Sequence, residues 1–252
     1  MGFSQKALLQ DLRDLGLKEG DKVLVHTSLS KVGLVEDGPE GFVHTIVEAV
    51  GENGLAVFPT FTGTSEDSAL KPPYFDVLET PSWTGKVPEA ARKLPNAIRS
   101  LHPTHSVAVI GKDAKNLVDG HEFVDTPCDK NSPFGILAET GGKIILVGVC
   151  HNSNTTFHTA EEYANCPYHM LDDPAVCTIV DYQRNEKKLP TKLHRWGTNR
   201  DFNRLEDVFL EKGVEKVGLV GKATCRILET GPMLDIIVSY LKKDPYYLVV
   251  KD

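Results

Sequence analysis

The chain lacks the motifs that mark many enzyme classes. It has no Walker A sequence and no G-x-G-x-x-G run, so neither ATP nor a dinucleotide has specific support. No G-x-S-x-G elbow is present, which leaves a covalent serine mechanism without its usual frame. The five cysteines, Cys128, Cys150, Cys166, Cys177 and Cys225, are scattered and form no Cys-x-x-Cys pair. That spacing argues against a structural zinc motif and against a disulfide framework. No apolar run approaches the ~20 residues that cross a bilayer, and residues 1–20 are charged and amphipathic rather than signal-like. A cytoplasmic location with reduced thiols and no membrane contact is expected. Basic clusters are missing too: the densest is Glu186-Lys187-Lys188, in a chain of formal net charge −7. Nucleic acid is therefore not an expected partner.

What is present is a chain of 252 residues, 40% hydrophobic, enough to bury a large core. Apolar, β-branched runs of strand length recur at 22–26, 55–58, 107–110, 144–149, 175–181, 216–220 and 246–250. Between them, helical periodicity covers 4–15, 39–50, 87–93, 114–118, 155–164, 203–211 and 232–242. Alternating strands and helices predict an α/β protein, a three-layer α/β/α arrangement with a mixed or mostly parallel central sheet covered on both faces. With no linker and no repeat, residues 1–252 read as a single domain. Residues 63–85, rich in Pro, Ser and Thr, carry little periodicity and read as a lid or substrate wall.

Four segments could carry chemistry. The first strand runs into His26-Thr-Ser-Leu-Ser-Lys-Val-Gly33, where hydroxyls, backbone N–H groups and Lys31 suit either a phosphate or an ordinary hydroxyl-rich turn. Arg99-Ser-Leu-His-Pro-Thr-His-Ser106 holds two histidines three apart. His102 and His105 could ligate a metal in a metal-dependent hydrolase, but the intervening proline and the missing third ligand favour a loop of hydrogen-bond donors, Arg99, Thr104 and Ser106. Ser132-Pro133 is explained by helix capping alone.

The fourth segment is Asn152-Ser-Asn-Thr-Thr-Phe-His-Thr-Ala-Glu161. Three residues is about one helical turn, so His158 and Glu161 share a face. A carboxylate on one imidazole nitrogen fixes the tautomer and raises the basicity of the other, as a general base requires. The same spacing also fits an exposed surface pair.

Taken in order, these blocks resemble the aminoglycoside 3-N-acetyltransferase family, which moves an acetyl group from acetyl-CoA to an amine and is distinct from the GNAT fold. The likeness runs over residues 8–165, through the segments 20–33, 58–62, 99–108, 132–133, 142–148 and 154–161. It implies acetyl-CoA as co-substrate, no metal cofactor, a small-molecule amine as partner, and direct transfer with His158 as base and Glu161 orienting it. It further implies a CoA groove lined by Ser28, Leu29, Ser30, Lys31, Val32, Gly33, Thr104 and Ser106. Thr155 and the turn around Ser28 and Ser30 are candidates to face the oxyanion. Many family members have an aspartate where this chain has Asn152, a difference of one negative charge that Glu162, Asp172 or Asp173 could offset. The acceptor implied is an aminoglycoside or related amino sugar, with a nucleotide-linked amino sugar as the alternative. Whether the chain forms a homo-oligomer is left open.

Overall fold

The computed structural model describes residues 2–250. Its strands are β1 (Lys22–Thr27), β2 (Leu55–Pro59), β3 (Tyr74–Asp76), β4 (Ile98–Arg99), β5 (Val107–Gly111), β6 (Lys143–Val147), β7 (Ala175–Val180), β8 (Glu186–Thr191), β9 (Glu215–Val220) and β10 (Ala223–Glu229). Seven of them form one sheet in the order β4-β5-β2-β1-β6-β10-β9, and β3-β7-β8 form a smaller second sheet. At the centre, β1 runs parallel to β2 on one side and to β6 on the other. The outer strands pair antiparallel, which makes the sheet mixed.

Strand periodicity sorts the core into two layers. From β1, Leu24 points to one face with Val57, Val109, Ile144, Leu146 and Leu228. Val23 and Val25 point to the other with Ala56, Phe58, Ile145, Val147 and Ile227. The second face is covered by α1 (Gln5–Leu15), α2 (Leu29–Val32), α3 (Gly38–Val50) and α4 (Lys86–Ala91). The first is covered by α5 (Ala114–Val118), α6 (Pro133–Glu139), α7 (Thr156–Tyr163), α8 (Glu206–Glu211) and α9 (Thr230–Lys243). Each fully buried Leu, Ile or Val on these faces contributes about 1.5–3 kcal/mol relative to exposure.

Local signals explain the helix boundaries. Ser4 caps α1 by accepting from Ala7 N, and Gly16 ends it in the left-handed region at φ 106°. Ser132 caps α6, with Pro133 in its first turn.

The expected strand at 246–250 is not formed. Those residues are turns, tied by an Arg200–Val249 bridge and by Arg204 donating to the carbonyls of Tyr247 and Val249. The helix expected at 203–211 is a 3-10 turn, Phe202–Leu205, followed by α8. Strands β4, β8 and β10 have no counterpart in the sequence reading. The segment 63–85 is part wall and part strand, since β3 lies within it and pairs with β7.

Candidate active site

A cavity of about 470 Å³ opens at the carboxyl ends of β1, β2 and β6. Because β1 has a parallel neighbour on each side, this is the crevice where connections diverge and open α/β sheets bind ligands. His26, on the same face of β1 as Leu24, enters the cavity floor; its Nε2 is buried without a protein partner. Trp83 and Trp196 stand on the rim with ring centroids 6.4 Å apart.

Helix α7 delivers the histidine. Asn154 Oδ1 accepts from Thr156 N at its start, and Phe157 buries on the sheet side, stacked on Phe202 at 4.4 Å. That orientation turns His158 to the cavity. His158 Nδ1 lies 2.7 Å from Glu161 Oε2. Glu161 is fully buried, and its other oxygen accepts from Arg200 Nε at 2.6 Å. His169 Nδ1 also approaches Oε2, at 3.1 Å. Burial alone would raise the Glu161 carboxyl, but the hydrogen bond and charge of His158 and the Arg200 guanidinium outweigh it and hold it below the usual range. An ionised Glu161 accepts a hydrogen bond from His158 Nδ1–H, leaving Nε2 as the acceptor. His26 is pushed down to about 3, by burial first and by His158 second, so it is neutral beside that histidine.

A second carboxylate stands behind the first. Glu162 is buried and accepts from the Cys128 amide at 3.0 Å, from the Thr126 hydroxyl, and meets His194 Nε2 at 2.7 Å. Burial pushes it up to about 8. Glu162 is thus no free acid standing in for the charge missing at Asn152. Asp172 is exposed and pairs with Arg195. Asn152 itself lines the cavity, and its Oδ1 accepts from Phe202 N at 2.8 Å. Burial pushes the Cys128 thiol far up, out of the range of a nucleophile.

The remaining candidate residues divide. Thr104 and Thr155 line the cavity. Ser28, Leu29, Ser30 and Gly33 line a separate groove of about 490 Å³, which meets the cavity at Thr27. Leu29 and Ser30 lie in the short helix α2, with Ser28 and Gly33 at its two ends, rather than in an open phosphate loop. Val32 is packed in the core, and Lys31 is exposed without lining the groove; Lys86 lines it instead. Ser106 does not reach the cavity. Its hydroxyl is buried against Thr60, and Arg99 Nε donates to it. Arg99 is equally remote: its guanidinium also donates to the carbonyls of Thr60, Val77 and Thr80, packs over Phe75, and clamps the small sheet to the large one. His102 is buried, its Nδ1 accepting from His105 N at 3.0 Å to shape the loop, whereas His105 lines the cavity. Sequence reasoning missed Arg200, His169 and His194, which come from segments with no motif. Eight of the nine histidines of the chain lie buried or half-buried, a composition signal that could have drawn attention to them.

Comparison with known proteins follows the same line. A family profile described as aminoglycoside 3-N-acetyltransferase matches residues 24–242. The chain is 31% identical to aminoglycoside N(3)-acetyltransferase IV of Salmonella sp, covering 94% of this chain and 87% of that protein. In structure it resembles the aminoglycoside acetyltransferase AAC(3)-IVa, solved as a histidine-to-alanine mutant in complex with gentamicin. The TM-score is 0.84 and the identity 27%, covering 100% of this chain and 93% of that one. It also shares the fold of AAC-IIIb, solved as a binary complex with CoASH, at a TM-score of 0.85 and 24% identity, covering 96% and 97% of the two chains. Fold and family profile together define a CoA-dependent N-acetyltransferase. The chain belongs to the aminoglycoside 3-N-acetyltransferase family.

Proposed function

We propose that this protein acetylates an amine of an aminoglycoside or related amino sugar by direct attack on acetyl-CoA, with His158 as general base. The observation that carries this reading is the 2.7 Å His158–Glu161 contact, with Glu161 ionised by Arg200 and the histidine facing a cavity of substrate size. The groove lined by Ser28, Ser30 and Lys86 meets that cavity at Thr27, a path by which the pantetheine arm reaches the base. The neutral acceptor nitrogen attacks the thioester carbonyl carbon while its proton passes to His158 Nε2. The tetrahedral intermediate collapses, the C–S bond breaks, and the proton goes to the departing sulfur. Thr155, on the cavity wall beside His158, supplies a hydroxyl for the oxyanion.

The wall also suits a cationic sugar in part. Trp83 and Trp196 offer flat faces for sugar rings, and Asp67 offers a carboxylate. An aminoglycoside name for the relatives favours this acceptor over a nucleotide-linked amino sugar.

Thiol release from acetyl-CoA against a panel of amines measures the activity. His158→Ala is expected to keep CoA binding and lose turnover by well over tenfold. A variant retaining activity within about tenfold, ~1.4 kcal/mol, rejects His158 as the base. No thiol release with any amine of the panel rejects the function.

A further inference from the structure

We propose that His105, Cys128 and His194 form a binding site for a zinc ion that ties two segments of the cavity wall to the buried loop before α6. Their donor atoms, one per residue, all lie within 4.8 Å of one another. Two imidazoles and a thiolate are the ligand set zinc favours, and the bond lengths place such donors about 3.5 Å apart, so side-chain shifts of about 1 Å close the set. His105 comes from the stretch between β4 and β5, Cys128 from the loop before α6, and His194 from the segment after β8. No short spacing in the sequence links them.

The surroundings match those of a metal site more closely than those of three idle side chains. Metal-bound histidines hold their second nitrogen in a hydrogen bond, commonly to a carboxylate. His194 Nε2 meets Glu162 Oε1 at 2.7 Å, and His105 Nδ1 meets the Thr104 hydroxyl at 2.8 Å. That leaves His194 Nδ1 and His105 Nε2 for a further partner. The same Glu162 carboxylate accepts from the Cys128 amide, so one acidic group orients two of the three ligands. The thiol is in no disulfide and is fully buried, whereas His105 and His194 line the cavity, which gives an ion its way in and a solvent ligand its place.

A second trio, His158, His169 and His194, is similarly close. It would consume the base, whose Nδ1 is held by Glu161, and His169 Nδ1 accepts from Arg200, so the thiolate set is the one assigned. Binding breaks the Cys128 S–H bond and forms a Zn–S bond, releasing one proton to solvent. The site is independent of the acetyl-transfer reading and can fail without it.

Metal analysis of the full chain purified without chelator is expected to find close to one zinc per chain. After zinc removal, Co²⁺ is expected to give a near-ultraviolet thiolate-to-cobalt band. Cys128→Ser should abolish that band and weaken zinc binding by at least about 100-fold, while Cys150→Ser, in another loop, should keep both. Wild-type protein with only traces of zinc and no thiolate band overturns the site. A band that survives in Cys128→Ser overturns it as well.

Discussion

At the scale of single residues, the site depends on which partner wins at Glu161. Burial opposes its charge, and the His158 hydrogen bond and the Arg200 guanidinium restore it. Replacing Glu161 by Gln keeps the shape but removes the charge that holds His158 in the right tautomer. Turnover in the thiol-release assay is expected to fall by about 10²–10⁴-fold with little change in CoA affinity. The same group carries a pH signature. Its folded pKa lies below the unfolded value of about 4.3, so its stabilising contribution is complete above that value and is lost as pH falls through the folded pKa. Urea titrations should therefore show a shallower loss of stability below about pH 4 in Glu161→Gln than in the wild type. An acid limb unchanged in slope would refute this account of Glu161.

At the scale of elements, α7 does two tasks with one face each. Phe157 enters the sheet-side core and stacks on Phe202, while His158 one residue later faces the cavity. Orientation of the base thus rests on apolar packing. Phe157→Ala is expected to cost about 3–5 kcal/mol in chemical denaturation and to lower kcat through misplacement of His158. A loss under about 1 kcal/mol would mean that the helix is held by something else. Legibility also varied by element. The buried central strands β1, β2, β5 and β6 were readable because both their faces are apolar. The edge strand β8 was not, because a solvated edge can hold Glu186, Lys187, Lys188 and Pro190. The apolar run at 246–250 resembles a strand, but no neighbouring strand offers it a ladder. Its apolar side chains pack instead on the α7–α9 face, with Leu248 fully buried.

At the scale of the whole molecule, Arg99 joins the two sheets. It is a buried cation, pulled down to about 10 by burial and still charged at neutral pH, and its donors serve Thr60, Ser106, Val77 and Thr80. Removing it orphans several acceptors at once. Arg99→Met is expected to cost at least about 3 kcal/mol, two charge-assisted hydrogen bonds at ~1.5 kcal/mol each. Protease digestion should then cut the small sheet, 172–192, ahead of the rest. Equal protection of both sheets in the variant would sink the clamp.

Sequence alone determined the α/β class and the His158–Glu161 pair, because each rests on short-range order (period two, period 3.6, one helical turn), and it pointed to the family through the resemblance of its ordered segments. It overreached at Arg99, Val32 and Ser106, where a polar motif or a hydroxyl-rich run turned out to serve packing. Only the tertiary structure decided what surrounds the base. Arg200, His169 and His194 reach it from loops far along the chain, and their approach is set by how two sheets and α7 pack. No local pattern encodes such contacts, since the energy that makes them is spread over the entire core.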